Sequence, residues 1–128
     1  MMFLTLILIL GSLFIVYVIY AVIKYIFFPD LEIIGDSMLP TLSQGEIYTS
    51  KRIFFKKRYD YKVGKIYVFL SKHEDGELTY AIKRLKQIDP ESGNLWFEGD
   101  NSVVSYDSRM YGYVPRSCVV AELRQRVR

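Results

Sequence analysis

The sequence predicts a mainly β protein behind a single apolar helix. Residues 1–28 read as a transmembrane helix and residues 29–128 as one small, mostly antiparallel β domain. Three observations carry that expectation. Charge is nearly absent from the first stretch: among residues 1–29 the only charged side chain is Lys24, while the other 16 Lys/Arg and all 14 Asp/Glu lie from Asp30 onward. The body then alternates short runs of β-branched and aromatic residues with turn clusters of Gly, Pro, Asn and Asp, at strand length rather than helix length. No second linker, internal repeat or low-complexity tract interrupts it, so about 100 residues share one core, enough for a modest β or α+β domain.

The head is long enough to cross a bilayer, which takes roughly 20 apolar residues as a helix. Its Gly11-Ser12 pair is tolerated in such a helix. A cleaved signal peptide would need a basic n-region, a shorter apolar core and a small-x-small cleavage site. Here Lys24, aromatics, Pro29 and Asp30 follow instead. A retained single-pass anchor is therefore expected, with membrane lipid as a partner. Tyr17, Tyr20, Tyr25, Phe27 and Phe28 would mark the interface at its C-terminal end. Charge does not orient it, because the N-terminal flank offers only the α-amine and Lys24 lies on the other side.

Along the body, Leu31–Ile34 is a short strand-like run leading into Gly35-Asp36-Ser37-Met38-Leu39-Pro40-Thr41-Leu42. Glycine opens backbone conformations that other residues avoid, and proline fixes φ and withholds an N–H. This segment reads as a rigid bend exposing one hydroxyl, although a serine in such company is commonly only a turn residue. Glu46–Ile53 and Lys65–Leu70 read as strands, the latter turned back by His73–Glu77. Between them, Phe54–Lys62 mixes aromatics with cations. Two readings stand for it: a loop resting on lipid headgroups, or a hairpin with rings packed inward and lysines solvated. Leu78–Leu85 and Leu95–Glu98 are further strands, Ser102–Tyr113 is a polar loop, Cys118–Leu123 closes the sheet, and Arg124–Arg128 is a basic tail.

A net charge of +3, with no helical Lys/Arg stripe and no zinc spacing, gives no reason to expect a nucleic-acid partner. The single Cys118 rules out an internal disulfide and reads as a core residue; the single His73 rules out a multi-histidine metal site. Period two places Lys83 between Ala81 and Leu85 on one face of its strand. A lysine there either escapes to solvent at an edge or is held among apolar neighbours. The second case lowers an amine pKa, since desolvation penalises the charged form. The other lysines sit among polar or cationic neighbours, or off that face.

Gly35–Leu42, then Tyr80-Ala81-Ile82-Lys83-Arg84, then the run from Gly99-Asp100-Asn101 through Ser105-Tyr106-Asp107-Ser108-Arg109 to Val114-Pro115 resemble the boxes of the type I signal peptidases, in the family's order. Gly64–Phe69 is similar to a weaker box of that family, with Lys65 where an aspartate is usual. The resemblance covers nearly the whole body. It implies a membrane-bound serine endopeptidase that removes signal peptides from exported preproteins, needs no cofactor or metal, and faces the extracytoplasmic side, where secretion machinery is a possible contact. It makes Ser37 the nucleophile and Lys83 the general base. Ser105 would orient the lysine, while Asp100 with Arg84 and Asp107 with Arg109 would be supporting pairs. Shallow pockets near Gly35 and Met38, and on the strands carrying Tyr67 and Ile82, would select small substrate residues at −1 and −3.

Three departures stand out. Gly35 replaces the serine that some relatives use as an oxyanion-hole donor, leaving that task to backbone N–H groups including that of Ser37. Val103-Val104 replaces a charged and polar pair. Only 15 residues separate Lys83 from Gly99, where larger relatives insert a second domain. Competing readings are a catalytically inactive membrane scaffold or chaperone for exported proteins, and a self-cleaving repressor with the same dyad. The latter would carry a DNA-binding segment where this chain has its apolar helix.

Overall fold

A computed structural model describes residues 1–128. The apolar head forms helix α1 (Met2–Phe27). At 1.5 Å per residue its 26 residues span about 39 Å, against a hydrocarbon core of about 30 Å. The helix is long and apolar enough to cross a membrane, and none of it is buried against the rest of the chain. Its two aliphatic hydroxyls are satisfied internally: Thr5 Oγ1 donates to Met2 O and Ser12 Oγ to Ile9 O, each at 2.8 Å.

The body is one antiparallel sheet of six strands: β1 (Asp30–Glu32), β2 (Ile47–Arg52), β3 (Ile66–Lys72), β4 (Leu78–Ile88), β5 (Leu95–Glu98) and β6 (Val119–Arg126), in spatial order β1-β2-β6-β3-β4-β5. Alternation along β3 and β4 sorts the core into two clusters. Tyr67, Phe69 and Leu85 face one side, where they bury Ile53, Leu95, Phe97 and Val119. Ile66 and Ile82 face the other, over Ile33, Met38, Leu42 and Leu123. The register Tyr67↔Lys83 and Val68↔Ile82 therefore puts Lys83 on the larger cluster's side and Ile82 on the smaller one's. Bulges between Tyr48 and Ser50, Val68 and Phe69, and Leu85 and Gln87 interrupt the register, and such bulges bend and twist a sheet. Cys118 packs partly buried against the larger cluster.

Two sequence expectations change here. Arg124–Arg126 do not hang free as a tail: they extend β6, with Arg126 opposite Tyr48 and its Nη1 3.1 Å from Glu46 Oε1. Charged residues at the end of a strand read as solvated chain until the partner strand, here β2, is known. The basic-aromatic loop divides between its two readings. Tyr61 is buried, Tyr59 is partly buried and bonded to Glu122, and both rings pack edge-on with Tyr67. Phe54 and Phe55 are exposed, and Phe54 packs edge-on against Phe27 of α1, centroids 5.2 Å apart. The interval between Lys83 and Gly99 holds the end of β4, one turn and β5, with no second domain. Within the polar loop that follows, Ser108–Tyr111 forms a single helical turn, α2.

Candidate active site

The bend after β1 is anchored by two buried side chains four residues apart. Met38 and Leu42 are each 2 % exposed and plug the smaller cluster, contributing roughly 1.5–3 kcal/mol each. Leu39 N–H closes a turn onto Asp36 O at 3.1 Å, and Leu42 N–H bonds Met38 O at 3.0 Å. Gly35 has φ +83°, a left-handed conformation that explains why glycine stands there although a Cβ would meet open space. A serine donor at 35 would have to adopt that strained backbone.

Ser37 is thereby held beside Lys83, whose Nζ is hydrogen-bonded to Ser37 Oγ. Lys83 is 6 % exposed. Burial lowers its pKa below the usual lysine value; the nearby Asp107 carboxylate opposes that shift and the Arg109 guanidinium reinforces it. A charged lysine would donate in this bond, whereas a neutral one accepts from the hydroxyl, which is the arrangement that makes serine nucleophilic.

Behind the lysine, Asp107 is fully buried and collects five donors: Ser105 Oγ at 2.6 Å, Gly99 N–H at 2.9 Å, Arg109 N–H at 3.1 Å, and Arg109 Nε and Nη2 at 3.0 and 2.6 Å. Burial alone would raise its pKa. The hydrogen bonds from Arg109, Ser105 and the Gly99 and Arg109 amides outweigh that and hold it far below the usual carboxylate range. The expected Asp107–Arg109 pair is present, but the role expected of Ser105 is not: its hydroxyl donates to Asp107 and makes no hydrogen bond to Lys83. A buried carboxylate two residues away is the stronger acceptor. Ser105 and Asp107 thus hold the loop that walls the lysine.

A second clasp ties the bend to the lysine strand. Arg84 Nε and Nη2 grip Asp100 at 2.9 and 2.6 Å, and Arg84 Nη1 donates to Gly64 O at 2.6 Å. The pairing raises the Arg84 pKa and lowers that of Asp100. Thr41 Oγ1 donates to the same carboxylate at 2.5 Å. Asn101 follows: its N–H donates to Ser37 O at 3.0 Å and its Nδ2 to Asp36 O at 3.1 Å. Sequence reading missed Thr41 and Asn101, because a turn threonine and a turn asparagine give no signal until the two loops are docked.

Ser37 and Lys83 line a cleft of about 1160 Å³ together with Met38, Ile82, Val68 and His73. Tyr67 is not part of it. Its side chain is fully buried in the larger cluster, where the phenol accepts the Lys62 N–H at 2.9 Å, and Val68 borders the cleft beside Ile82 instead. One wall offers an unpaired strand edge. Leu85 exchanges backbone bonds with Lys65 and Gly64, so by alternation Lys83, Ala81 and Thr79 turn theirs toward β3 and Ile82, Tyr80 and Leu78 turn theirs away. β5 covers only Arg84–Ile88, which leaves that outward edge without a partner strand. His73, at the hairpin tip, lies 3.6 Å from Asp75 and is not bonded to Ser37. No protein-family model matches the chain, and no curated protein matches it.

Proposed function

We propose that this protein is a membrane-bound serine endopeptidase that cleaves signal peptides from exported preproteins, of the type I signal peptidase kind. The observation that carries the reading is the hydrogen bond between Ser37 Oγ and a desolvated Lys83 Nζ inside an apolar cleft with a free strand edge. In the proposed reaction, neutral Lys83 takes the Ser37 proton as Oγ attacks the scissile carbonyl. The tetrahedral oxyanion rests on backbone N–H, and Lys83 returns the proton to the departing amine. Water, deprotonated by the same amine, then releases the acyl group from Ser37. A substrate laid as an added strand along Leu78–Ile82 would present alternate side chains to the Met38–Ile82 side, matching a demand for small residues at −1 and −3. The paired carboxylates and arginines hold loops in this scheme and take no part in proton transfer. The body is assigned to the extracytoplasmic side.

The test is cleavage of a preprotein carrying small residues at −1 and −3, by the full chain in liposomes. Wild type should release the mature product, while Ser37→Ala and Lys83→Ala should lose at least about a thousandfold in kcat/KM, as for removal of a nucleophile or its base. Equal cleavage by all three would sink the dyad. Cleavage by none would favour an inactive scaffold for exported proteins.

A further inference from the structure

Both peptide groups that flank the nucleophile are held by one residue. Asn101 Nδ2 donates to Asp36 O at 3.1 Å, and Asn101 N–H donates to Ser37 O at 3.0 Å. Asp36 O also accepts the Leu39 N–H of the turn, so two donors pin it on one side. The Asp36–Ser37 peptide is trans, the only cis bond being Leu39–Pro40. In a planar trans peptide C=O and N–H point in opposite directions. Pinning the Asp36 carbonyl therefore aims the Ser37 N–H the other way, and that N–H has no acceptor in the protein. It is a preorganised donor beside the attacking oxygen. With glycine at position 35 and no side-chain donor there, the orientation of this one peptide carries more of the oxyanion's stabilisation.

We infer that the Asn101 side chain is a positioning residue for the oxyanion hole, acting through the Asp36–Ser37 peptide. The inference rests on the reading of Ser37 and Lys83 as a peptidase dyad. It adds a residue that touches neither substrate nor the reacting atoms. The main-chain bond from Asn101 N–H to Ser37 O needs no side chain, so with alanine or leucine at 101 the loop stays docked while the side-chain bond is lost.

The experiment compares wild type, Asn101→Ala and Asn101→Leu as full-length chains in liposomes. A preprotein serves as substrate, and a peptide aldehyde, whose serine hemiacetal places an oxyanion in the hole, serves as inhibitor. Loss of a direct oxyanion donor costs about 10²–10³ in kcat, and a donor merely released from its aim should cost about 10- to 100-fold. The expected result is that fall in kcat with KM nearly unchanged, a parallel weakening of aldehyde inhibition, and an unshifted alkaline rise in the pH profile. A purely structural role would not link kcat to aldehyde affinity across two variants of different size. Variants as fast as wild type would overturn the inference and leave the dyad standing, as would a kcat loss with unchanged aldehyde affinity. A wild type that cleaves nothing and ignores the aldehyde would overturn both.

Discussion

At the scale of the residue, the decisive feature is a lysine placed where lysines are rarely kept. Burial of the ammonium costs free energy that no carboxylate in direct contact offsets, because Asp107 is already occupied by Arg109, Ser105 and Gly99. The same ionisation should govern activity and stability. With its folded pKa below the ordinary lysine value of 10.5, Lys83 binds fewer protons in the folded than in the unfolded chain between those two values. Stability should therefore rise with pH across that window, and the penalty is present in full below the folded pKa. Activity should rise over the same limb as the base becomes free. Tyr59, Tyr61, Tyr67 and Tyr111 work in the opposite sense at higher pH, since burial raises each of them, Tyr61 and Tyr111 to about 12. Comparison with Lys83→Met separates the two. Met fills similar volume without charge, so the variant should be inactive yet at least as stable as wild type at pH 7, by about 1 kcal/mol or more. Urea midpoints taken from neutral pH to pH 10 should converge as pH rises. A variant less stable than wild type at pH 7 would show that the amine is not held at a cost.

At the scale of the element, the site depends on how closely the loop after β5 approaches the bend after β1. Gly99 is the contact point. A Cβ there would overlap the Ser105 hydroxyl and lie 2.5 Å from Ser37 O, so this glycine serves close approach and not an unusual φ. Gly99→Ala should push the bend away from Lys83, destabilising by about 1–3 kcal/mol as overpacking does and lowering kcat by more than the lost folded fraction explains. Urea denaturation and cleavage rates on one preparation check it, and an alanine variant with wild-type kcat would show that the loops can separate freely. The sequence made much of this legible. Alternation located the strands and put Lys83 on an apolar face, and the resemblance to the type I signal peptidase boxes, not spacing by itself, implied the Arg84–Asp100 and Asp107–Arg109 pairs. It could not tell which face of β3 would border a cleft, because period two yields two faces without labels, and so Tyr67 was placed there in error. Nor could it choose between Lys83 on β4 and the neighbouring Asp107 for the Ser105 hydroxyl, because that choice depends on how the loop docks against the strand, or reveal Asn101, whose partners Asp36 and Ser37 lie in another loop.

At the scale of the whole molecule, the position of the body relative to the helix is fixed by direct contacts and not by a slack linker. Ser50 donates to Pro29 O through both its N–H, at 2.9 Å, and its hydroxyl, at 2.8 Å, and Phe54 packs on Phe27. The cleft that holds Ser37 and Lys83 extends to Pro29 and Phe54, so one end of it opens at the C-terminal end of α1. If α1 crosses a bilayer as proposed, that end lies at the headgroup level. Phe54 and Phe55 would then meet the interface, with the exposed Lys57 and Arg58 following just beyond Lys56, a combination suited to an anionic surface. Trp96, on β5, is four strands away from β2 across the sheet, a separation on the order of 19 Å at about 4.8 Å per strand, and it is occupied by Tyr113 and Glu98. This geometry predicts different quenching for two tryptophan positions. In vesicles of phosphatidylcholine and phosphatidylglycerol containing brominated acyl chains, wild type, with Trp96 alone, should keep its fluorescence. A Phe55→Trp variant on a Trp96→Phe background should be quenched, most strongly by bromines near the headgroups. The readout needs no cleavage, so it tests the placement of the body independently of the dyad. Fluorescence at position 55 that is untouched by bromine at every depth would mean that the loop faces water, and that the cleft does not open onto the bilayer.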